Sequence, residues 1–378
     1  MRNQTQSITI RNALLNWFQA HARSLPWRKT QDPCAIWISE VMLQQTQIAT
    51  VIPYYQRFLQ AFPNFERLAA APFEKIAEQW SGLGYYRRAR HLHLAAQRIV
   101  REFKGKFPSD YQKARTLPGV GHYTASAVLS IAYNQPLPVL DGNVARVMAR
   151  LYAWKGHLQQ SSFRRAAERK LQKLIPLGNP GAFNQAMMEL GQTICLPRNP
   201  GCEACPLRPW CRAYRSKNPE RYPMPRPRRP TEPAHLAAAI IQKDRKLAFI
   251  RGLDEGLMSD LWNFPAAFGK SKRQALKRLQ EKLAKATGEA PRLEKTLGAL
   301  RHNITFRSIQ VTLHRAELRD DATRRGIRWF SIADLDRAPV SQLARKIAKA
   351  IVTDHPSALS RPNRLARSAR RDPAFRKR

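Results

Sequence analysis

Three groups of residues in this 378-residue chain have the types and spacing to do chemistry. The first is Glu40, a lone carboxylate in the apolar run WISEVMLQQTQ (37–47). A carboxylic acid held in partly apolar surroundings has its pKa raised and can deliver a proton near neutrality, although a paired structural glutamate would read the same way. The second is Asp141 in VLDGNVAR (139–146), beside a glycine at a helix start. That placement suits an N-cap, and equally a carboxylate facing a developing positive charge. The third is Cys195, Cys202, Cys205 and Cys211, spaced C-x6-C-x2-C-x5-C. Four thiolates so close together suit zinc or an iron–sulfur cluster better than a disulfide framework in a chain this large. Cys34 stands alone and reads as a small packed side chain.

Helices must position these groups. From residue 8 to 211 apolar residues recur three and four apart, as in NALLNWFQAHA, RARHLHLAAQRIVREF and ASAVLSIAY, with Gly and Pro at the joins. In LPGVGHYTA (117–125) two glycines flank one apolar residue. Such a pair permits a tight hairpin whose following helix directs free N–H groups at a phosphate, a grip on the backbone that reads no sequence. Residues 213–234 are rich in Pro and Arg and read as a stiff linker. Beyond it, over 235–355, HLAAAIIQ, KLAFIR, LWNFPAAF and SIQVTLHRAEL read as strands, and RQALKRLQEKLAKATG and LARKIAKAIV as helices, so a second, α+β domain is expected. Residues 356–378 form a basic tail expected to be disordered, with eight Arg or Lys against one Asp after residue 360.

The formal charge is +39, from 66 Lys and Arg against 27 Asp and Glu. A compact fold with that excess repels itself unless a polyanion lies against it, and nucleic acid is the first candidate. No run approaches a membrane span and the N-terminus lacks the apolar core of a secretory signal. The expected location is the cytoplasm, with the nucleoid.

Six blocks occur in one order: LPWR (25–28), WISEVMLQQT (37–46), GLGYY (82–86), LPGVGHYTA (117–125), LDGNVARV (140–147) and FNQAMMELG (183–191). Residues 8–212 thereby resemble the MutY family of adenine DNA glycosylases, within the helix-hairpin-helix superfamily of base-excision enzymes. The resemblance implies a mainly α catalytic region, with a six-helix barrel module and an iron–sulfur module, followed by a Nudix-like α+β domain. It assigns proton transfer to N7 of a flipped adenine to Glu40, stabilisation of the oxocarbenium-like sugar to Asp141, as electrostatic stabiliser or transient covalent partner, and orientation of both to Tyr123 and Asn143. Gln44, Gln45 and Tyr85 match wedge residues near the opposite base, Gly119 and Gly121 match backbone contacts to DNA, and Trp27, Arg28, Leu43 and Glu189 match the adenine pocket. The four cysteines would hold a 4Fe-4S cluster bracing a basic loop that includes Arg198 and Arg208.

The implied activity is excision of adenine opposite 8-oxoguanine or guanine in duplex DNA, by a monomer, leaving an abasic site. Endonuclease III-like relatives carry a nucleophilic Lys where this chain has Tyr123, and a phenol forms no Schiff base, so a monofunctional enzyme is expected. The alternatives are a relative acting on other mismatches or oxidised pyrimidines, or a catalytically silent DNA binder. The second domain resembles the one that MutY proteins use to recognise 8-oxoguanine. Its helix RQALKRLQEKLAKATG offers mostly Lys and Arg where a Nudix hydrolase needs glutamates for Mg²⁺, so hydrolase activity is not expected. Where the family often has an aromatic-Ser-His loop, this chain has His302-Asn303-Ile304-Thr305-Phe306: Thr305 offers the hydroxyl, and the following His is missing.

Overall fold

The computed structural model describes all residues except 1, 226–229, 255, 260, 288–291, 305, 318–325, 337 and 355–378. Thr305 and the basic tail therefore lie outside the described residues. The chain divides into two compact units, residues 1–79 with 87–228, and residues 80–86 with 229–378. The GLGYY segment thus groups with the second unit.

The first unit is helical: α1 (Arg2–His21), α2 (Pro33–Leu43), α3 (Ile48–Ala61), α4 (Phe65–Ala70), α5 (Phe73–Gln79), α6 (Arg87–Phe103), α7 (Tyr111–Arg115), α8 (His122–Ala132), α9 (Gly142–Tyr152), α10 (Ser161–Leu174), α11 (Pro180–Thr193) and α12 (Arg212–Arg215). Several starts are set by sequence. Asp32, Asn64, Asp110, Asp141 and Asn179 each accept a backbone N–H from the first turn of the helix that follows, and Pro33 and Pro180 occupy first positions where no N–H is missed. Helix α2 is buried from Cys34 to Met42 and packs against α3, α6 and α8. An all-round apolar helix such as this belongs in the interior. A second core joins α1, α9, α10 and α11 around Leu14, Met148, Leu171 and Phe183, each fully buried.

In the second unit one sheet has the order β5-β1-β7-β6, from β1 (Glu232–Ile240), β5 (Ala266–Gly269), β6 (Arg292–Ile304) and β7 (Arg307–Glu317). The other pairs β3 (Lys246–Arg251) with β2 (Gln242–Lys243), β4 (Trp262–Asn263) and β8 (Ile327–Phe330). Strands β1 and β7 run parallel, with Leu236 opposite Val311. Leu236, Ala238 and Ile240 enter one core, whereas Ala237 and Ala239 enter another with Leu279 and Leu283 of α13 (Lys272–Thr287). Alternate residues of β1 thus serve opposite faces, both covered. Helix α14 (Gln342–Asp354) contributes Leu343, Ile347 and Ile351 to the first of these cores.

Three elements differ from the sequence reading. LWNFPAAF is not one strand: Pro265 has no N–H for a ladder, and the chain passes from β4 in one sheet to β5 in the other. Strand β6 was not expected, because register shifts between Leu293 and Gly298 break its alternation. Strand β8 has only four residues, too few for a period to register.

Candidate active site and cysteine loop

Glu40 lies on the last turns of α2 and is 5% exposed. Tyr123, in the first turn of α8, donates its phenolic hydrogen to Glu40 Oε2 at 2.7 Å. Burial pushes the Glu40 carboxyl up to about 7. The Tyr123 hydrogen bond and the charge of Arg28 oppose that rise, while the charge of Asp141 adds to it. Burial and the neighbouring carboxylates drive the Tyr123 phenol well above its ordinary range, so it keeps its proton and donates it in the hydrogen bond to Glu40.

Asp141 is the N-cap of α9: Oδ1 accepts from Val144 N at 2.7 Å and Oδ2 from Asn143 Nδ2 at 2.9 Å. Capping leaves Asp141 in the cleft, which it lines together with Glu40. Asn143 Oδ1 in turn accepts from Arg146 Nη2 at 2.9 Å, and the same guanidinium binds Gly191 O and Cys195 O. The amide is therefore locked in one orientation by a half-buried network.

The cleft has a volume of about 790 Å³. Of the expected residues, Trp27, Arg28, Leu43, Gln44 and Gln45 line it together with Glu40, Tyr123, Asp141 and Asn143. Glu189 stands directly behind that lining, bonded to Arg23 and Arg28, which both line the cleft. It is fully buried outside the lining, where Oε1 accepts from Arg23 Nε at 2.6 Å and Oε2 from Arg28 Nη2 at 2.8 Å. Burial alone would raise its carboxyl, but the two guanidiniums outweigh this and hold it at about 2. Its neighbours Gln185, Met188 and Gln192 line the cleft instead. They lie three and four residues apart on α11, a spacing that places them on one helix face, and position 189 is rotated about 100° from 188. That spacing is present in the sequence over 185–192, which runs one residue past the FNQAMMELG block.

The loop after α2 is held by a residue the sequence reading missed. Arg88 of α6 donates from Nη1 to Val41 O at 2.9 Å, Met42 O at 2.8 Å and Gln44 O, and from Nη2 to Thr46 Oγ1 at 3.1 Å. One guanidinium thereby satisfies carbonyls orphaned at the helix end and fixes the Gln44–Thr46 turn. Within that turn Gln45 is exposed in the left-handed region at φ 58°, and Gln44 Nε2 reaches Thr124 Oγ1 at 3.3 Å. Tyr85 is 57% exposed in the second unit, at φ 48°. Gly119 needs to be glycine for the protein's own sake: φ is 74° and a Cβ would sit 2.7 Å from His91 Cβ. At Gly121 an added Cβ would meet nothing within 4 Å, leaving the entry to α8 open.

Cys195, Cys202, Cys205 and Cys211 line one cavity with Arg150, Ile194 and Tyr214. Among the described residues, no three or more His, Cys, Asp or Glu side chains converge closely enough to share a single metal ion. Burial pushes the Cys205 thiol up to about 12. Arg150, 2% exposed, donates from Nη1 to Cys195 Sγ at 3.3 Å and to Leu196 O at 2.6 Å. Four thiols around one cavity, with an N–H donor at sulfur, fit a polynuclear iron–sulfur group. Arg198 is exposed on this loop, and Arg208 pairs with Glu203.

Comparison with known proteins returns a base-excision fold. Residues 38–176 match the HhH-GPD superfamily of base excision DNA repair proteins, and residues 236–350 match the NUDIX domain. A solved thermostable thymine-DNA glycosylase superposes with a TM-score of 0.52 at 27% identity, over 57% of this chain and all of that one. The class is thus a helix-hairpin-helix DNA N-glycosylase with a Nudix-like second domain. The adenine DNA glycosylase of Mus musculus is 32% identical over 92% of this chain and 78% of its own length. That of Buchnera aphidicola from Schizaphis graminum is 35% identical over 67% of this chain and 73% of its own. The chain belongs to the adenine DNA glycosylase family.

Proposed function

We propose that this enzyme excises adenine mispaired with 8-oxoguanine or guanine in duplex DNA, leaving an abasic site without cutting the strand. The observation that carries this reading is the pairing of a buried acid, Glu40 raised to about 7, with Asp141 in one cleft. Adenine leaves deoxyribose readily only once a ring nitrogen is protonated, and an acid with a pKa near the working pH is suited to supply that proton at N7. Tyr123 holds the Glu40 carboxyl in place from the Oε2 side. Departure of the base leaves a sugar with oxocarbenium character, and Asp141, anchored by Val144 N and Asn143, presents a carboxylate to it. Glu40, now ionised, takes the proton of the incoming water.

Flipping costs a few kcal/mol of unstacking, and the Gln44–Gln45 turn held by Arg88 fills the gap. The four cysteines hold a 4Fe-4S cluster, which when bound braces the loop carrying Arg198. The second domain recognises 8-oxoguanine, with Thr305 in place of the family's Ser. The test is release of base from duplexes containing A:8-oxoG, A:G, T:G or thymine glycol, developed with alkali. Abasic sites in both adenine duplexes are expected; cutting of T:G or thymine glycol alone would overturn the reading.

A further inference from the structure

Helix α13 lacks the run of glutamates that a divalent-metal site would need, yet it still sends one side chain into a cage of oxygens. Lys282 Nζ lies 2.8 Å from Leu253 O, 2.8 Å from Ala266 O and 3.4 Å from Asp254 Oδ1. An ammonium has three hydrogens and no acceptor, so these three oxygens account for its whole donor capacity. The cage is built from separate parts of the domain: Leu253 and Asp254 follow β3, Ala266 opens β5, and Lys282 comes from α13. The second oxygen of Asp254 accepts from Phe268 N at 2.7 Å, and Arg278, one helical turn before Lys282, donates to Phe268 O at 2.9 Å. The loop is also closed on itself by Leu253 N to Leu257 O and Leu257 N to Asp254 O, with Gly252 at φ 75°.

Carbonyl and carboxylate oxygens converging on one point make a hard-cation site. Here the cation is covalently part of the chain. We propose that Lys282 is a tethered cation: its ammonium fills an oxygen cage suited to a divalent ion, so that this Nudix-like domain orders the loop after β3 without bound metal. The side-chain lengths make the idea testable by exchange. A glutamate at 282 ends at about the position of the lysine Cε, and a divalent ion about 2.2 Å beyond its oxygen would stand where Nζ now stands. Lys282→Glu would then offer two carboxylates and two carbonyls to one ion.

The experiment uses the full-length chain as wild type, Lys282→Glu and Lys282→Met, with Mn²⁺ as the probe. Bound Mn²⁺ is read by paramagnetic resonance, and protease cutting of the 252–259 loop is mapped by mass. Wild type is expected to bind no Mn²⁺ in this domain and to cut at the same rate with and without it. Lys282→Glu should cut at least about fivefold faster without metal, take up one Mn²⁺ and regain protection, because an ion that binds only the ordered state stabilises it. Lys282→Met should cut faster and show no rescue; it keeps the test decisive if the glutamate variant fails to fold. Protection of the wild-type loop that grows with Mn²⁺, a folded glutamate variant that takes up none, or a methionine variant as protected as wild type would overturn the proposal.

Discussion

Two glutamates buried in the same helical unit have opposite electrostatic fates. Glu40, on α2, is raised to about 7; Glu189, on α11, is held at about 2. Burial pushes both upward, so burial does not decide the outcome. The partner does. Glu40 receives one neutral hydrogen bond, from Tyr123, and faces the charge of Asp141, whereas Glu189 is bonded to the guanidiniums of Arg23 and Arg28. Arg28 links the two regions, since it lines the cleft yet commits its hydrogen bonds to Glu189 and to Arg23 O. One buried acid is kept ready to exchange a proton, and the other is kept ionised as an anchor for the wall beside it.

Replacing each acid by its amide should separate these roles. Glu40→Gln removes the proton donor and should slow single-turnover excision by about a thousandfold or more, with duplex binding kept in a gel-shift measurement. The same variant should be the more stable protein at neutral pH and above. A carboxyl whose folded pKa is raised stabilises the fold fully below its unfolded value near 4.5, and that contribution is lost as pH rises through about 7. Relief on the order of 3 kcal/mol is therefore expected in denaturant unfolding near pH 8, and almost none near pH 4.5.

Glu189→Gln should do the reverse. It strands two guanidiniums against a fully buried position and should cost about 3 kcal/mol of stability, read from denaturant midpoints, with Arg23 contributing the lesser part because it is partly exposed. Tyr123→Phe deletes the hydrogen bond that restrains Glu40, so the carboxyl should rise further and the alkaline limb of activity move to higher pH, with a rate loss under about tenfold. Arg88→Gln should have the smallest effect. Loosening of the Gln44–Thr46 turn should weaken extrusion about threefold, read with 2-aminopurine fluorescence in the duplex, and leave the pH limb where it is.

Much of the chemistry was legible in the sequence because it sits in short, ordered blocks. A carboxylate in an apolar helix, an Asp at a helix entry and four close cysteines each imply a site from residue type and spacing alone, and the cleft brings Glu40, Tyr123, Asp141 and Asn143 together. Residues acting through distant partners were not legible. Arg88 and Arg146 sit in basic helical segments where any Arg reads as solvent-facing, and the carbonyls and hydroxyl they bind are 42 to 49 positions away in sequence. The anchoring of Glu189 by two guanidiniums was hidden for a different reason: it is one step from Met188 on the same helix, and that 100° turn separates the cleft lining from the buried anchor. In the second domain the bulges of β6 removed the alternation on which a strand assignment depends.

The claim that Glu40 is the proton donor is tested most directly by the pH dependence of single-turnover excision of adenine opposite 8-oxoguanine. With the carboxyl at about 7, the rate should be level below that pH and fall about tenfold per unit above it. A rate that stays level up to about pH 9, two units past the point at which Glu40 has ionised, would contradict the account.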